Sequence, residues 1–211
     1  MTALDQYIDN MSSPEDALLH ELERETYLRV LNPRMISGHI QGKLLEMIVR
    51  MIRPQRVLEI GTFTGYSALS MAAGLPDGGV IDTCEVDDEL EMMILDFFER
   101  SKYSENLRLH IGSALEIAPT LGEVYDLVFI DGDKREYTAY YNMLFDNNLV
   151  KSGSWIMADN ILWYGKVVET VAKGDKQTQG IIDFNAAVIA DPRVENVILP
   201  IRDGINLIRV K

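Results

Sequence analysis

Cysteine occurs once and histidine three times in these 211 residues, and no apolar run is long enough to cross a bilayer. The single thiol, Cys84, excludes an internal disulfide framework and any zinc site built on several thiolates. Within "VIDTCEV" it reads as an inert buried thiol. His20, His39 and His110 fall in no metal-ligand spacing. His39 begins a helix and reads as a capping or packing residue, whereas His110 alternates within a strand and reads as a core residue with a hydrogen-bond partner. Basic residues are also in short supply. Twenty of them against 33 acidic ones give a net charge of −13, which opposes nucleic acid and anionic membrane as partners and leaves small-molecule chemistry. The opening residues, "MTALDQYIDNMSSPEDALL", are polar and acidic where a signal peptide would be basic and then apolar, so a soluble, cytoplasmic protein is expected.

What is present is a composition 47% hydrophobic, enough for one core, and a single domain over 1–211 is expected. From Ser12 to about Arg53 the pattern is helical: "SSPEDALLHELERETYLRVL" opens with Ser and Pro and repeats apolar residues at three and four, and "HIQGKLLEMIVRMI" resumes that period after the break "NPRMISG". Residues 1–53 therefore form an N-terminal helical layer. From Arg56 onward, short aliphatic runs alternate with helical segments, which signals an α/β fold with a mostly parallel sheet covered on both faces. The strands are "RVLEIG", "VIDTCEV", "LRLHIG", "YDLVFID", "SWIMAD", "VENVILPI" and "INLIRV". The last two are joined by the hairpin signal "RDG", which places one antiparallel strand in the sheet. Residues 161–179 break the rhythm and read as an inserted loop or lid on the substrate side, followed by a helix "IIDFNAAVIA".

Ligands of such sheets bind beyond the carboxyl ends of the strands, and Glu59, Glu85, Asp131 and Asp159 each end a predicted strand. "VLEIGTFTGYSAL" is a strand, a turn with Gly61 and Gly65, and a helix start whose free amides can donate to a ligand. The dinucleotide fingerprint is absent. Glu59 would repel a pyrophosphate and attract a cationic ligand, while Glu85 stands where an acid grips ribose hydroxyls. S-adenosylmethionine satisfies both. The alternative is a glycine turn that only lets a helix pack close to a strand.

Asp131 and the pair Asp159–Asn160 end neighbouring strands about 4.8 Å apart. Two carboxylates and an amide oxygen suit Mg²⁺, Mn²⁺ or Ca²⁺, with positions left for two neighbouring substrate oxygens and a water. Lys134, three residues after Asp131, is then a candidate base toward a hydroxyl, and Asp133 is directed toward the adenosine side. The competing reading of "DGDK" is a solvated strand end followed by a helix cap.

Taken together, "RMISGHIQGKLL", "VLEIGTFTGYSALSMA", "FIDGDKREY", "MADNILWYGKV" and "LPIRDGINLIRVK" resemble the metal-dependent O-methyltransferases related to caffeoyl-CoA and catechol O-methyltransferases, particularly their bacterial members. The resemblance runs from about Pro33 to the C-terminus. It implies a Rossmann-like class I methyltransferase fold and a homodimer. It further implies that Met35 and Ser37 touch the methionine end of the cofactor and that Glu59, Gly61, Phe63 and Ser67 line its amino-acid portion. Glu85 would bind the ribose, and Gly112, Ser113 and Ala114 would border the adenine. Asp131, Asp159 and Asn160 match the metal ligands, Asp133 a cofactor contact, and Lys134 with Asp131 the catalytic pair. The implied reaction moves a methyl group to a hydroxyl of a small catechol-like or hydroxycinnamoyl-type acceptor, with Trp163 and Tyr164 as a wall for a planar ring. Few cations stand near the entrance beyond Arg34, Lys166, Lys173 and Lys176, which favours the smaller acceptor over a coenzyme A ester. The rivals are a metal-assisted hydrolase built on Asp131, Asp133 and Asp159, a binding module without catalysis, and a nicotinamide oxidoreductase, which Glu59 disfavours.

Overall fold

In the computed structural model, which describes residues 2–211, the chain starts with three helices, α1 (Ala3–Met11), α2 (Ala17–Arg29) and α3 (Gly38–Ile52). It then alternates β1 (Arg56–Ile60), α4 (Tyr66–Ala72), β2 (Val80–Glu85), α5 (Glu91–Arg100), β3 (Leu107–Ile111), α6 (Ala114–Ile117), β4 (Leu127–Ile130), α7 (Tyr137–Asp146) and β5 (Trp155–Asp159). After α8 (Lys176–Ala190) it closes with the hairpin β6 (Val194–Leu199) and β7 (Ile205–Val210). All seven strands expected from the aliphatic runs form one sheet in the order β3-β2-β1-β4-β5-β7-β6. Its pairings are parallel except that β7 runs antiparallel to both β5 and β6. The chain winds outward from β1 to β3 and then returns to β4 on the other side of β1. That reversal leaves a crevice beyond the carboxyl ends of β1 and β4.

Strand alternation divides the core into two layers. Leu58 and Ile60 of β1, Val128 and Ile130 of β4, and Ile156 and Ala158 of β5 face one side, where Tyr137, Tyr141 and Leu144 of α7 and Ile181, Phe184 and Val188 of α8 cover them. Val57, Leu127, Phe129 and Met157 face the other side, under Leu22 of α2, Leu45 and Val49 of α3, Leu69 of α4 and Ile94 of α5. The crossing of α3 over α4 depends on Gly42, where an added Cβ would lie 2.7 Å from Ser70 Oγ.

Two expectations need correction. Residues 3–11, ahead of the helical pattern that the sequence shows from Ser12, form α1, whose start is fixed by a reciprocal cap between Thr2 and Asp5. The segment expected as an insertion over 161–179 is irregular only as far as Asp175. Its carboxylate accepts the Thr178 N–H at 3.1 Å and starts α8 at Lys176. The stretch Trp163–Val168 is a kinked 3-10 segment in which Trp163 and Tyr164 adopt left-handed backbone angles. His39 bridges α1 to the next loop, with Nδ1 2.6 Å from Asp9 Oδ1 and Nε2 2.7 Å from the Ser13 carbonyl. His110 meets Asp82 Oδ1 at 2.8 Å. Among the described residues no helix is long and apolar enough to cross a membrane.

Candidate active site

A cavity of about 2490 Å³ occupies the crevice and is lined from α2 through to the closing hairpin. Its floor is the turn after β1. Gly61 has φ +98°, and a Cβ there would stand 2.5 Å from the Asp131 carbonyl oxygen, so the turn can sit against β4 only with glycine at this position. The N–H groups of Gly61 and Thr62 donate to the Cys84 carbonyl at 3.0 and 3.2 Å, which ties the turn to the end of β2. Cys84 itself is 2% exposed, and burial together with the charge of Asp82 pushes its thiol up to about 12, so it is inert as a nucleophile.

Glu85 is held at the cavity wall by two backbone donors, Phe63 N–H at 2.6 Å to Oε2 and Asp87 N–H at 2.9 Å to Oε1. Each oxygen keeps a further acceptor position. Gly112, Ser113 and Ala114 lie beside it, with the Gly112 N–H donating to the Glu85 carbonyl at 2.7 Å. Met35, Ser37, Phe63 and Ser67 complete this half of the lining.

Glu59 is placed differently from its expected position. Alternation along β1 turns it onto the helix-covered face, where it is fully buried beside Ser67, which lines the cavity while Glu59 does not. Burial pushes its carboxyl up to about 8, an effect that the hydroxyls of Ser67 and Thr83 oppose and the charges of Asp131 and Glu85 reinforce. Thr83 Oγ1 donates to Oε2, and Oε1 has no partner.

The other half of the cavity is built on β4 and β5. Their register pairs Ile130 with Ala158, so the next residues, Asp131 and Asp159, leave the sheet side by side on neighbouring strands, and Asn160 follows with a left-handed φ of 57°. All three line the cavity. Burial pushes the Asp159 carboxyl up to about 6, with the Asp131 charge adding to the rise. Lys134 Nζ lies 2.7 Å from Asp131 Oδ1, 2.8 Å from the Tyr137 hydroxyl and 3.2 Å from the Gly132 carbonyl. Tyr137 is in turn fixed by donating to the Asp159 carbonyl at 2.9 Å. The donor set of Asp131, Asp159 and Asn160 fits a hard divalent ion: two carboxylates and an amide at one wall, close enough for one carboxylate to perturb the other. Asp133 lines the cavity but is clasped by the Arg135 guanidinium, at 2.9 Å from Nε to each oxygen, which holds its carboxyl below the ordinary range.

Sequence reading missed Gln41 and Arg202. Gln41 Nε2 donates to Asp159 Oδ2 at 2.5 Å, and Arg202 Nη1 donates to Gln41 Oε1 at 2.8 Å. A polar residue on the apolar stripe of α3, with Leu45, Ile48 and Val49, was the available signal. Among the described residues, the one group of three or more His, Cys, Asp or Glu side chains able to meet a common ion, Glu15, His20 and Glu23, lies outside the cavity lining.

A profile of the O-methyltransferase family matches residues 9–211. Caffeoyl-CoA O-methyltransferase 5 of Nicotiana tabacum is 33% identical over 220 residues, covering 98% of this chain and 90% of that protein. Catechol O-methyltransferase domain-containing protein 1 of Mus musculus is 30% identical over 207 residues, covering 96% and 78%. Among solved structures, the O-methyltransferase of Bacillus cereus in complex with SAH superposes with a TM-score of 0.88 at 28% identity over 100% of this chain and 98% of that one. The SAH-bound Podospora anserina methyltransferase PaMTH1 gives 0.90 at 26% identity over 99% and 94%. With the glycine turn, the acid at the end of β2 and the sheet order already in place, these likenesses establish that the chain belongs to the O-methyltransferase family.

Proposed function

We propose that this protein transfers a methyl group from S-adenosylmethionine to one hydroxyl of a small catechol-like acceptor, with a divalent ion held by Asp131, Asp159 and Asn160. The observation that carries the reading is the register of β4 and β5, which sets the two aspartates side by side in the cavity that the glycine turn and Glu85 also line. Bound there, such an ion would supply positive charge that lowers the pKa of the attacked hydroxyl. Glu85 accepts from ribose hydroxyls with the lone pairs its backbone donors leave free, and Gly112, Ser113 and Ala114 border the base. Ser67 stands over Glu59 at the amino-acid end. Lys134 Nζ, after giving its own ammonium proton to solvent, takes up the acceptor's hydroxyl proton. Tyr137 and the Gly132 carbonyl hold that nitrogen in place beside Asp131. Methyl transfer from a sulfonium to an oxyanion cancels opposite charges, so exclusion of water by the N-terminal layer and by Trp163 and Tyr164 favours it.

Charge supports the smaller acceptor. Among the described lining residues acidic side chains outnumber basic ones ten to four. Of the four, Arg29 pairs with Glu25, Lys134 with Asp131, and Arg202 with Gln41, leaving Arg34 for an incoming anion. Lys166 is turned to Asp175 at 3.6 Å, and neither Lys173 nor Lys176 lines the cavity. A polyphosphate-bearing thioester would meet net repulsion here.

The test is methyl transfer from labelled S-adenosylmethionine to free catechols, free dihydroxycinnamates and their coenzyme A thioesters, with Mg²⁺ and with chelator. Transfer to free vicinal diols that chelator stops is expected. A clear preference for the coenzyme A esters would overturn the acceptor reading, and transfer indifferent to chelator would overturn the metal reading.

A further inference from the structure

Both oxygens of Asp159 are held before any ligand arrives. Oδ1 accepts the Asn160 N–H at 2.8 Å, and Oδ2 accepts Gln41 Nε2 at 2.5 Å. Gln41 comes from α3, 118 positions earlier in the chain, and is 1% exposed. A glutamine amide can offer a carboxylate either end, but only its NH₂ end attracts one. Arg202 makes the choice. A guanidinium has donors and no acceptor, so Nη1, 2.8 Å from Gln41 Oε1, fixes the oxygen end toward the hairpin and commits Nε2 to Asp159. The same guanidinium reaches the Ile36 carbonyl at 3.4 Å from both Nη1 and Nη2. It thereby joins the loop before α3 to the turn before β7, where Arg202 itself takes a left-handed φ of 50°.

We propose that Gln41 is a positioning residue for the metal ligand Asp159, with its amide oriented by Arg202. The inference rests on the metal-site reading above. A carboxylate is free to turn about its last bond unless a second group holds one oxygen, and a turned carboxylate presents the wrong lone pair to an ion. Gln41 supplies that hold from a buried helix, and the link uses both polar ends of its side chain, so the amide is satisfied only while Asp159 keeps this orientation. A purely structural tie between α3 and the hairpin would lower the melting temperature of a variant and leave ion affinity in the folded protein untouched.

The experiment is a Mn²⁺ titration of the full chain, followed by the electron paramagnetic resonance signal of free Mn²⁺, in the wild type, Gln41→Met, Arg202→Met and the double variant, with SAH affinity measured by calorimetry alongside. The Gln41→Met change weakens Mn²⁺ binding roughly 10- to 100-fold, while SAH affinity stays within about twofold. Arg202→Met weakens Mn²⁺ binding less, and the double variant matches Gln41→Met alone because Arg202 acts through Gln41. Unchanged Mn²⁺ affinity in folded Gln41→Met overturns the proposal, as does a double variant whose loss is the product of the two single losses. Should Gln41→Met fail to fold, Arg202→Met decides alone, and unchanged Mn²⁺ affinity there overturns it. A wild type that binds no Mn²⁺ defeats the metal-site reading itself and this inference with it.

Discussion

Glu59 offers the sharpest test of the electrostatics around the cofactor turn. Its carboxyl is fully buried and shifted from 4.5 to about 8, chiefly by burial. In the unfolded chain the same group loses its proton near 4.5. Between these values the folded state holds a proton that the unfolded state has released, so stability falls as pH rises through this window. The contribution is fully present below 4.5 and lost as pH passes about 8. One proton corresponds to about 1.4 kcal/mol per pH unit, and the whole shift to about 5 kcal/mol. A Glu59→Gln variant stays uncharged throughout, and its stability relative to the wild type should therefore climb by about 1.4 kcal/mol per unit from roughly pH 5 to 8 and then level off. Urea unfolding of both ligand-free proteins at half-unit pH steps reads this difference, in which the other titrating groups cancel. Parallel curves for the two proteins would refute the reasoning, because they would mean that Glu59 ionises alike in the folded and unfolded chains.

Lys134→Met should reduce kcat by about 10²- to 10⁴-fold, the range for loss of a positioned base, while SAH affinity measured by calorimetry is little changed. Turnover equal to the wild type would remove Lys134 from its role. Phe184 is fully buried and packs edge-on against Tyr137 at 5.5 Å and Tyr141 at 6.0 Å. Phe184→Ala should cost about 3–5 kcal/mol in denaturant unfolding. Activity should fall with it, because Tyr137 supports Lys134; a loss below about 1 kcal/mol would show that this layer collapses to fill the space.

The seven strands were legible because each is a compact aliphatic run that the sheet buries, and the order of the acids along the chain already placed them at strand ends. The cavity gathers the sequence-named cofactor, metal and catalytic residues except Glu59. That exception was also written in the sequence: in "RVLEI" the period of two puts Glu59 with Val57 and opposite Leu58 and Ile60, hence onto a sheet face. Helix α1 escaped notice because none of its residues is buried, so its apolar spacing is not driven by a core, and only the Thr2–Asp5 cap announces it. The true start of α8 was hidden by the polar first turn "KQTQ", although Asp175 three residues before Thr178 is a capping signal. The link from Arg202 through Gln41 to Asp159 joins residues 161 and 118 positions apart, and no local spacing encodes such a contact.

The claim on which the account turns is that the paired ends of β4 and β5 hold a divalent ion that methyl transfer requires. The direct measurement is the initial rate of methyl transfer to a free catechol by protein stripped with chelator, then titrated with Mg²⁺, for the wild type and Asp159→Ala. The account predicts a stripped wild type that is inactive and recovers with Mg²⁺, and a variant that stays inactive at every concentration. A stripped wild type that turns over at its full rate, or an Asp159→Ala variant that recovers as the wild type does, would contradict it.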